Sequence, residues 1–231
     1  MQITIQPLSR PINGIITLPG SKSYTNRALI MAALYKGKSN IKNYSESNDS
    51  LTMIKALNQL GIKIVKHNNQ LAIFGNGSQF IPFYKTVNIN VGDAGTAMRF
   101  LTAFCTLMPG EIILDGSDRM RQRPIGDLVE ALKKIGAEII YLKKIGCPPL
   151  KITGGKIQGG LTEIKGSISS QFISALLMVG PVLQKGLQLK IIGSLISRSY
   201  IDMTIDSLKH FGVRVANKNN QMFIVKPNEQ Y

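Results

Sequence analysis

Three segments of the chain follow one pattern, and this repetition limits the folds that the chain can adopt. Residues 56–64 (ALNQLGIKI), 131–139 (ALKKIGAEI) and 207–215 (SLKHFGVRV) each predict an amphipathic helix that ends at a glycine and leads into a strand. The three glycines lie 75 and 76 residues apart. A turn and a second strand follow each copy, which predicts three hairpins.

A second set of positions keeps the same spacing. Gly20, Gly95 and Ser170 are separated by 75 residues each, and each opens an apolar helical run that leads through a glycine into a strand. One unit therefore has the order strand, small-residue turn, apolar helix, strand, amphipathic helix, hairpin. Solenoid repeats are usually about 20–50 residues long, so these longer units favour a globular domain.

We therefore predict an α/β fold of the α+β type, in which three βαβαββ repeats are related by pseudo-threefold symmetry. The repeats cover about residues 1–80, 81–155 and 156–231, and no linker-like stretch divides them, which predicts a single domain. The apolar helices are expected inside and the sheets outside. The start of the chain, residues 1–6 (MQITIQ), alternates like a strand and does not resemble a signal peptide.

The chain carries a net charge of +15, so it is expected to meet anions. The charge alone allows three interpretations: nucleic acid, a small anionic substrate, or an acidic portion of a longer protein. Against nucleic acid, the basic residues are scattered and aromatic residues make up only 6%. Two cysteines and two histidines without metal-binding spacing predict no metal site. This cysteine usage fits a cytoplasmic protein, and no apolar run reaches membrane-spanning length.

A loop of small residues precedes each apolar helix. Residues 19–23 (PGSKS), 92–96 (GDAGT) and 166–170 (GSISS) place free backbone N–H groups at a helix start, where the helix dipole favours anions. Pseudo-threefold symmetry would bring the three starts to one end of the domain. Several cations lie near them in sequence: Lys22, Arg27, Arg99, Arg119, Arg121 and Arg123. The alternative is that these small residues only cap the helices.

Five motifs, in order along the chain, resemble the signatures of one enzyme family. They are residues 18–29 (LPGSKSYTNRAL), 93–99 (DAGTAMR), 119–126 (RMRQRPIG), 169–172 (SSQF) and 197–202 (SRSYID). This combination covers essentially the whole chain and resembles the N-terminal half of the 5-enolpyruvylshikimate-3-phosphate synthases, which belong to the enolpyruvyl transferases.

The resemblance implies a transferase of the shikimate pathway, which leads to aromatic amino acids and is the target of glyphosate. The family transfers the enolpyruvyl group of phosphoenolpyruvate to the 5-hydroxyl of shikimate 3-phosphate, and it needs no cofactor or metal. Its members are about twice as long, and their C-terminal domain holds the acid/base carboxylates. This chain alone is therefore expected to bind shikimate 3-phosphate weakly and not to turn over. A monomer is expected, with no nucleic-acid or membrane partner, and a first strand near residues 3–6 is expected to pack with the absent domain.

The resemblance also assigns the contacts to shikimate 3-phosphate. Ser23 and Arg27 would hold its carboxylate, and Tyr200 would pack on its ring. Gln171 would touch both substrates. The 3-phosphate would be held by three serines: Ser169, Ser170 and Ser197.

Phosphoenolpyruvate is assigned to a neighbouring set of residues. Lys22 would bind it and contribute electrostatically to catalysis, while the backbone of Gly95 and the side chain of Arg123 would line its pocket. Two residues differ from the pattern that is common in the family. Phe100 stands where many members have proline, and Asp93 stands where asparagine is common, although an acid there could cap the following helix.

Two alternative functions are considered beside this one. The first is half of a UDP-N-acetylglucosamine enolpyruvyl transferase. That relative usually carries a reactive cysteine in the loop that corresponds to residues 115–124, and this loop contains no cysteine. The second is a non-catalytic module that binds anions or nucleic acid, and it is motivated by the net charge of +15.

Overall fold

The computed structural model describes residues 3–4, 6–77, 79–227, 229 and 231. Each third of the described chain contributes two α-helices and one sheet. The first third comprises α1 (Lys22–Leu34), β1 (Lys36–Lys42), α2 (Asn48–Gln59), β2 (Lys63–His67) and β3 (Gln70–Asn76). The second comprises β4 (Val87–Asn90), α3 (Gly95–Cys105), β5 (Gly110–Asp115), α4 (Gly126–Lys134), β6 (Glu138–Tyr141) and β7 (Leu150–Gly154). The third comprises β8 (Gly160–Lys165), α5 (Ser170–Val179), β9 (Leu187–Ile192), α6 (Arg198–His210), β10 (Val215–Lys218) and β11 (Met222–Val225).

The sheets repeat one topology. The strand orders are β1-β3-β2, β4-β5-β7-β6 and β8-β9-β11-β10. In the second and third sheets the first strand runs parallel to the second, and the remaining pairs are antiparallel. The hairpin turns contain Asn68, Asn219 and Asn220 in the left-handed backbone region, which asparagine tolerates better than most residues. The βαβαββ order predicted from the sequence is therefore confirmed for these two repeats.

The helices that precede the second strand of each unit form the centre of the molecule. Ten of the eleven residues of α3 and nine of the ten residues of α5 are buried, so these helices have no solvent-facing side. By contrast, α2, α4 and α6 each bury only four residues, as expected for helices that cover a core with one face. The prediction of buried apolar helices between outer sheets is confirmed.

The first repeat departs from the predicted order, because no strand precedes α1 among residues 6–20. Within the described ranges, no strand pairs with the edge of β1 that corresponds to the β4 and β8 positions. A groove of about 310 Å³ lies between α1, β1 and α6. Ile15 is fully exposed and Ile16 is 81% exposed, so this segment contributes little to the core. The strand predicted for residues 1–6 is absent at residues 3, 4 and 6, and residues 1, 2 and 5 lie outside the described part.

None of the helices in the described ranges combines the length and the apolar character needed to cross a bilayer.

Candidate functional site

The beginnings of the buried helices lie in the three small-residue loops that the sequence identified. Ser21 caps α1, and its hydroxyl accepts from the backbone N–H of Tyr24. Ser169 caps α5 in the same way by accepting from Gln171 at 3.2 Å. At α3 the cap residue is Ala94, which has no capping side chain. Two of the three loops therefore use a serine to cap their helix, and the third leaves its helix start without a side-chain cap.

Asp93 does not cap α3, although the sequence allowed that role. Its carboxylate accepts a hydrogen bond from the hydroxyl of Ser117, on the far side of the loop after β5. The carboxylate therefore ties two loops together and leaves the backbone N–H groups at the start of α3 without a side-chain cap.

Arg27 is the most extensively bonded side chain at this end of the molecule, although it is only 2% exposed. Its Nε donates to the hydroxyl of Thr204 at 2.7 Å, and its Nη2 donates to the hydroxyl of Ser174 at 3.2 Å and to the carbonyl of Tyr200 at 3.1 Å. Its Nη1 donates to the carbonyl of Ser23 at 2.9 Å. The guanidinium thus joins α1, α5 and α6.

The charge of Arg27 has no acidic partner among the described residues, because all four of its acceptors are neutral. Burial lowers the pKa of Arg27 to about 10. A buried cation without a counter-charge normally destabilises a fold by several kcal/mol. The site therefore keeps a positive charge that is not neutralised within the described chain.

Arg99 repeats this situation on α3. It is 5% exposed, and it donates to the carbonyls of Gly95 at 3.0 Å and Pro124 at 3.3 Å rather than to a carboxylate. Burial, followed by the neighbouring charge of Arg123, lowers the pKa of Arg99 to about 10. Two buried guanidinium groups therefore flank the helix starts.

Gly95 and Arg123, which the resemblance assigns to the phosphoenolpyruvate site, lie against each other. A Cβ atom on Gly95 would lie 2.5 Å from Nη1 and 2.8 Å from Nη2 of Arg123. Glycine is therefore required for the guanidinium to approach the first turn of α3 this closely. The arrangement places a cation beside free backbone N–H groups at a helix start, which is a favourable environment for an anion.

An aspartate that the sequence did not single out supports this arginine loop. Asp115 accepts two hydrogen bonds from Arg121, at 3.0 and 2.7 Å, and a third from the backbone N–H of Gly116. The side-chain hydrogen bonds from Arg121 hold the pKa of Asp115 below its usual value. Arg121 is therefore a structural residue of the loop, whereas Arg119 is exposed. The only sequence signal for this pair was an acid at the end of a predicted strand.

Lys22, the first residue of α1, has an unpredicted partner. Its Nζ lies 3.0 Å from Oδ2 of Asp49, in the first turn of α2. Half of the lysine side chain is exposed, so it remains accessible to a ligand. Neither the repeat nor the motif around Lys22 indicated this contact, because the two residues belong to different helices.

The start of α5 joins the start of α3. Gln171 donates from Nε2 to the hydroxyl of Thr96 at 3.3 Å, and the same backbone turn contains Ser169 and Ser170. Ser170 is only 7% exposed, whereas Ser169 is half-buried. The structure therefore brings the second and third small-residue loops into direct contact.

Ser197 and Tyr200 mark the start of α6. Ser197 is exposed and adopts the left-handed conformation, with φ of 51°, directly before the helix. Tyr200 is 46% exposed, while its backbone carbonyl accepts from Arg27. The backbone of the first turn of α6 is thus fixed by Arg27, while Ser197 and the side of the turn with Tyr200 are accessible to solvent.

Phe100, the first of the two unusual residues, is buried beneath this site. Its ring lies 5.5 Å from the guanidinium carbon of Arg27, which is close enough for a cation–π contact.

Cys105, at the other end of α3, is fully buried, and burial raises the pKa of its thiol. Within the described ranges, no cluster of three or more His, Cys, Asp or Glu side chains could hold a metal.

Comparison with known proteins identifies the family. A family profile described as EPSP synthase (3-phosphoshikimate 1-carboxyvinyltransferase) matches residues 7–231. The chain belongs to the EPSP synthase family. The resemblance drawn from the five motifs is thereby confirmed.

Curated members of the EPSP synthase family resemble this chain over nearly its whole length. The 3-phosphoshikimate 1-carboxyvinyltransferase of Aliivibrio fischeri (strain ATCC 700601 / ES114) is 46% identical over 231 residues, which cover 99% of this chain and 54% of that protein. The enzyme of the same name from Sulfurovum sp. is 45% identical over 233 residues, with the same coverage. The chain therefore spans about half the length of the curated relatives that it matches.

The fold agrees with a solved member of the EPSP synthase family. The EPSP synthase from Acinetobacter baumannii superposes with a TM-score of 0.79 at 25% sequence identity, over 92% of this chain and 47% of that chain. The predicted enolpyruvyl transferase-like fold is confirmed by this match.

Proposed function

We propose that this chain is the N-terminal half of an enzyme that transfers the enolpyruvyl group of phosphoenolpyruvate to shikimate 3-phosphate. Its own part is to bind shikimate 3-phosphate and to form one wall of the phosphoenolpyruvate site. The names of its relatives and the coverage of about half their length support this proposal.

The uncompensated charge of Arg27 is the observation that carries the proposal. The guanidinium has five N–H groups, and four of them meet neutral acceptors. The remaining N–H is on Nη1, which also bonds the carbonyl of Ser23. A substrate carboxylate at this point would accept from Nη1 and from the hydroxyl of Ser23, and it would supply the missing negative charge.

The rest of shikimate 3-phosphate is assigned to the helix starts around Arg27. The exposed ring face of Tyr200 suits the apolar side of a six-membered ring. The 3-phosphate is assigned to the hydroxyls and backbone N–H groups of three serines near the starts of α5 and α6: Ser169, Ser170 and Ser197. Gln171, which joins α5 to α3, lies between the two substrates in this arrangement.

Phosphoenolpyruvate is assigned to the second loop and to Lys22. The backbone of Gly95 and the guanidinium of Arg123 present donors to its phosphate. Lys22 stabilises the developing negative charge electrostatically, and it would exchange its contact with Asp49 for the substrate. No proton-transfer step is assigned to the chain, because the acid/base carboxylates of the family belong to its other half.

We also propose a single domain of three repeats, a monomeric state and a cytoplasmic location. The three similar sheets and the common core of buried helices support the first of these. Size-exclusion chromatography with light scattering tests the second, and fractionation of the source cells tests the third.

A ligand titration tests the function. Shikimate 3-phosphate is added to the ¹⁵N-labelled chain, and backbone shifts are expected near Ser23, Ser170 and Tyr200. Lys22→Ala should leave this binding largely intact and weaken phosphoenolpyruvate binding. Lys218→Ala, which removes an exposed lysine on β10, is the matched control and should change neither.

Three outcomes would contradict the proposal. Equal shifts with a DNA oligonucleotide would favour the nucleic-acid module, and shifts with UDP-N-acetylglucosamine but not shikimate 3-phosphate would favour the other enolpyruvyl transferase. Steady-state turnover by this chain alone would show that it is more than a binding half.

A further inference from the structure

We infer that Thr204 and Ser174 are positioning residues that hold the guanidinium of Arg27 for the substrate carboxylate. The inference rests on the proposed function of the same site. Both side chains are fully buried, with no exposed surface, and neither belongs to a motif that identified the family. They lie on different helices, α6 and α5, and meet beneath the side chain of a third, α1.

The protons of this cluster can all be assigned. Thr204 has one hydroxyl proton, which we assign to the carbonyl of Tyr200 at 2.9 Å because a carbonyl can only accept. The contact of 2.7 Å between the two hydroxyls must then be a donation from Ser174 to Thr204. Each hydroxyl oxygen also accepts from Arg27: Nε donates to Thr204, and Nη2 donates to Ser174. Every hydroxyl proton therefore has an acceptor, so the cluster has one self-consistent arrangement.

Hydroxyl groups suit this role better than a carboxylate would. A carboxylate at either position would pair with Arg27 and neutralise the charge that the substrate is proposed to meet. The two hydroxyls instead fix the direction of Nε and Nη2 without changing the net charge. They leave the single remaining N–H, on Nη1, on the side of Ser23.

A further helix, α3, restricts the guanidinium of Arg27. The ring of Phe100 on α3 lies 5.5 Å from the guanidinium carbon and is itself 1% exposed. Because one face of the Arg27 guanidinium lies against this ring, a ligand can bind only at the free edge of the group. Thr204 and Ser174 hold the guanidinium so that this free edge is the Nη1 side.

Two substitutions at one position test the inference in the intact 231-residue chain. Thr204→Val keeps the shape of the side chain and removes the hydroxyl, and we expect about a ten-fold weaker affinity for shikimate 3-phosphate, as for loss of a hydrogen bond to a charged group. Thr204→Ser keeps the hydroxyl, and its affinity should return to within about three-fold of wild type. Thr102→Val is the matched control, because Thr102 is equally buried but donates only to the carbonyl of Met98 in its own helix.

A second measurement needs no ligand. The Nε–H of Arg27 should exchange slowly with solvent in the wild type and in Thr102→Val, and faster in Thr204→Val. If Thr204→Val does not fold, Ser174→Ala takes its place, because it removes one hydroxyl without adding an atom. Ser174→Ala should show the same loss of affinity for shikimate 3-phosphate and faster solvent exchange of the N–H protons on Nη2 of Arg27.

The outcomes separate this inference from the proposed function. If the wild type binds and Thr204→Val binds as well as Thr102→Val, the inference is wrong while the proposed function stands. If the wild type does not bind shikimate 3-phosphate, the proposed function is wrong, and the exchange of Arg27 Nε–H alone decides the positioning role. Equal exchange in Thr204→Val and Thr102→Val would overturn that role.

Discussion

Replacing Gly95 with alanine tests whether the start of α3 and Arg123 form one anion-binding element. The new Cβ would lie 2.5 Å from Nη1, 2.8 Å from Nη2 and 2.9 Å from the guanidinium carbon. Optimal contacts between carbon atoms are about 3.5–4.0 Å, so the guanidinium must move by about 1 Å. The atoms in conflict are the far end of a flexible side chain, so the fold itself can accommodate the methyl group.

The effects on stability and on binding should therefore differ. Alanine in a helix is favoured over glycine by up to about 1 kcal/mol, and the backbone of Gly95 is not in the left-handed region. We expect the free energy of unfolding to stay within about 1 kcal/mol of wild type. The displaced guanidinium should lose a charged hydrogen bond to phosphate, which weakens binding about 10- to 100-fold.

The assay is a titration of the ¹⁵N-labelled chain with phosphoenolpyruvate, followed through the Nε–H of Arg123 and the backbone N–H of Gly95 or Ala. Gly126→Ala is the matched control, because Gly126 also begins a helix and its Cβ would lie 3.4 Å from the nearest atom. That variant should bind like wild type. The reasoning is refuted if Gly95→Ala shows unchanged Arg123 signals and unchanged affinity.

Three further predictions concern stability and reactivity. Asp115→Asn should lower the free energy of unfolding by about 1.5–3 kcal/mol at pH 7. This difference should shrink below about pH 4, because a carboxyl whose pKa is lowered in the fold loses its stabilising effect as the pH falls. Urea unfolding at both pH values checks this, and an equal difference at both would contradict it. Asn26→Leu should raise the free energy of unfolding by about 1–2 kcal/mol, since both amide atoms of Asn26 are buried and no described residue offers them a hydrogen-bond partner. Thermal unfolding that begins at a lower temperature in the variant would argue against this. Cys105 should react with iodoacetamide only in denaturant, because the thiol is fully buried and its pKa is raised; mass spectrometry of the native chain reports any early labelling.

Much of the fold followed from local patterns. The spacing of glycines and apolar runs predicted three units, and the structure has one sheet from each. Periodicity also separated the fully apolar helices, such as α3 and α5, from the one-sided helices α2, α4 and α6. These features are accessible from sequence because they depend on neighbours within a few turns of the chain.

The absence of a strand before α1 could not be predicted from local sequence patterns. The repeat predicted a strand before the first small-residue turn, and none is present among residues 6–20. Whether such a segment pairs depends on a partner edge, and in the described structure the edge of β1 is unpaired. Strand formation is a property of the sheet rather than of the segment.

By itself, the sequence determined the repeat, the burial of the central helices and the small-residue loops at their starts, because each depends on short-range spacing. Only the tertiary structure decided the partners of the charges. Arg27 meets Thr204 and Ser174 across 177 and 147 residues of chain, and Lys22 meets Asp49 from another helix. Such contacts depend on how helices from different repeats pack. The charge that remains unpaired after this packing is the basis for the proposed substrate site.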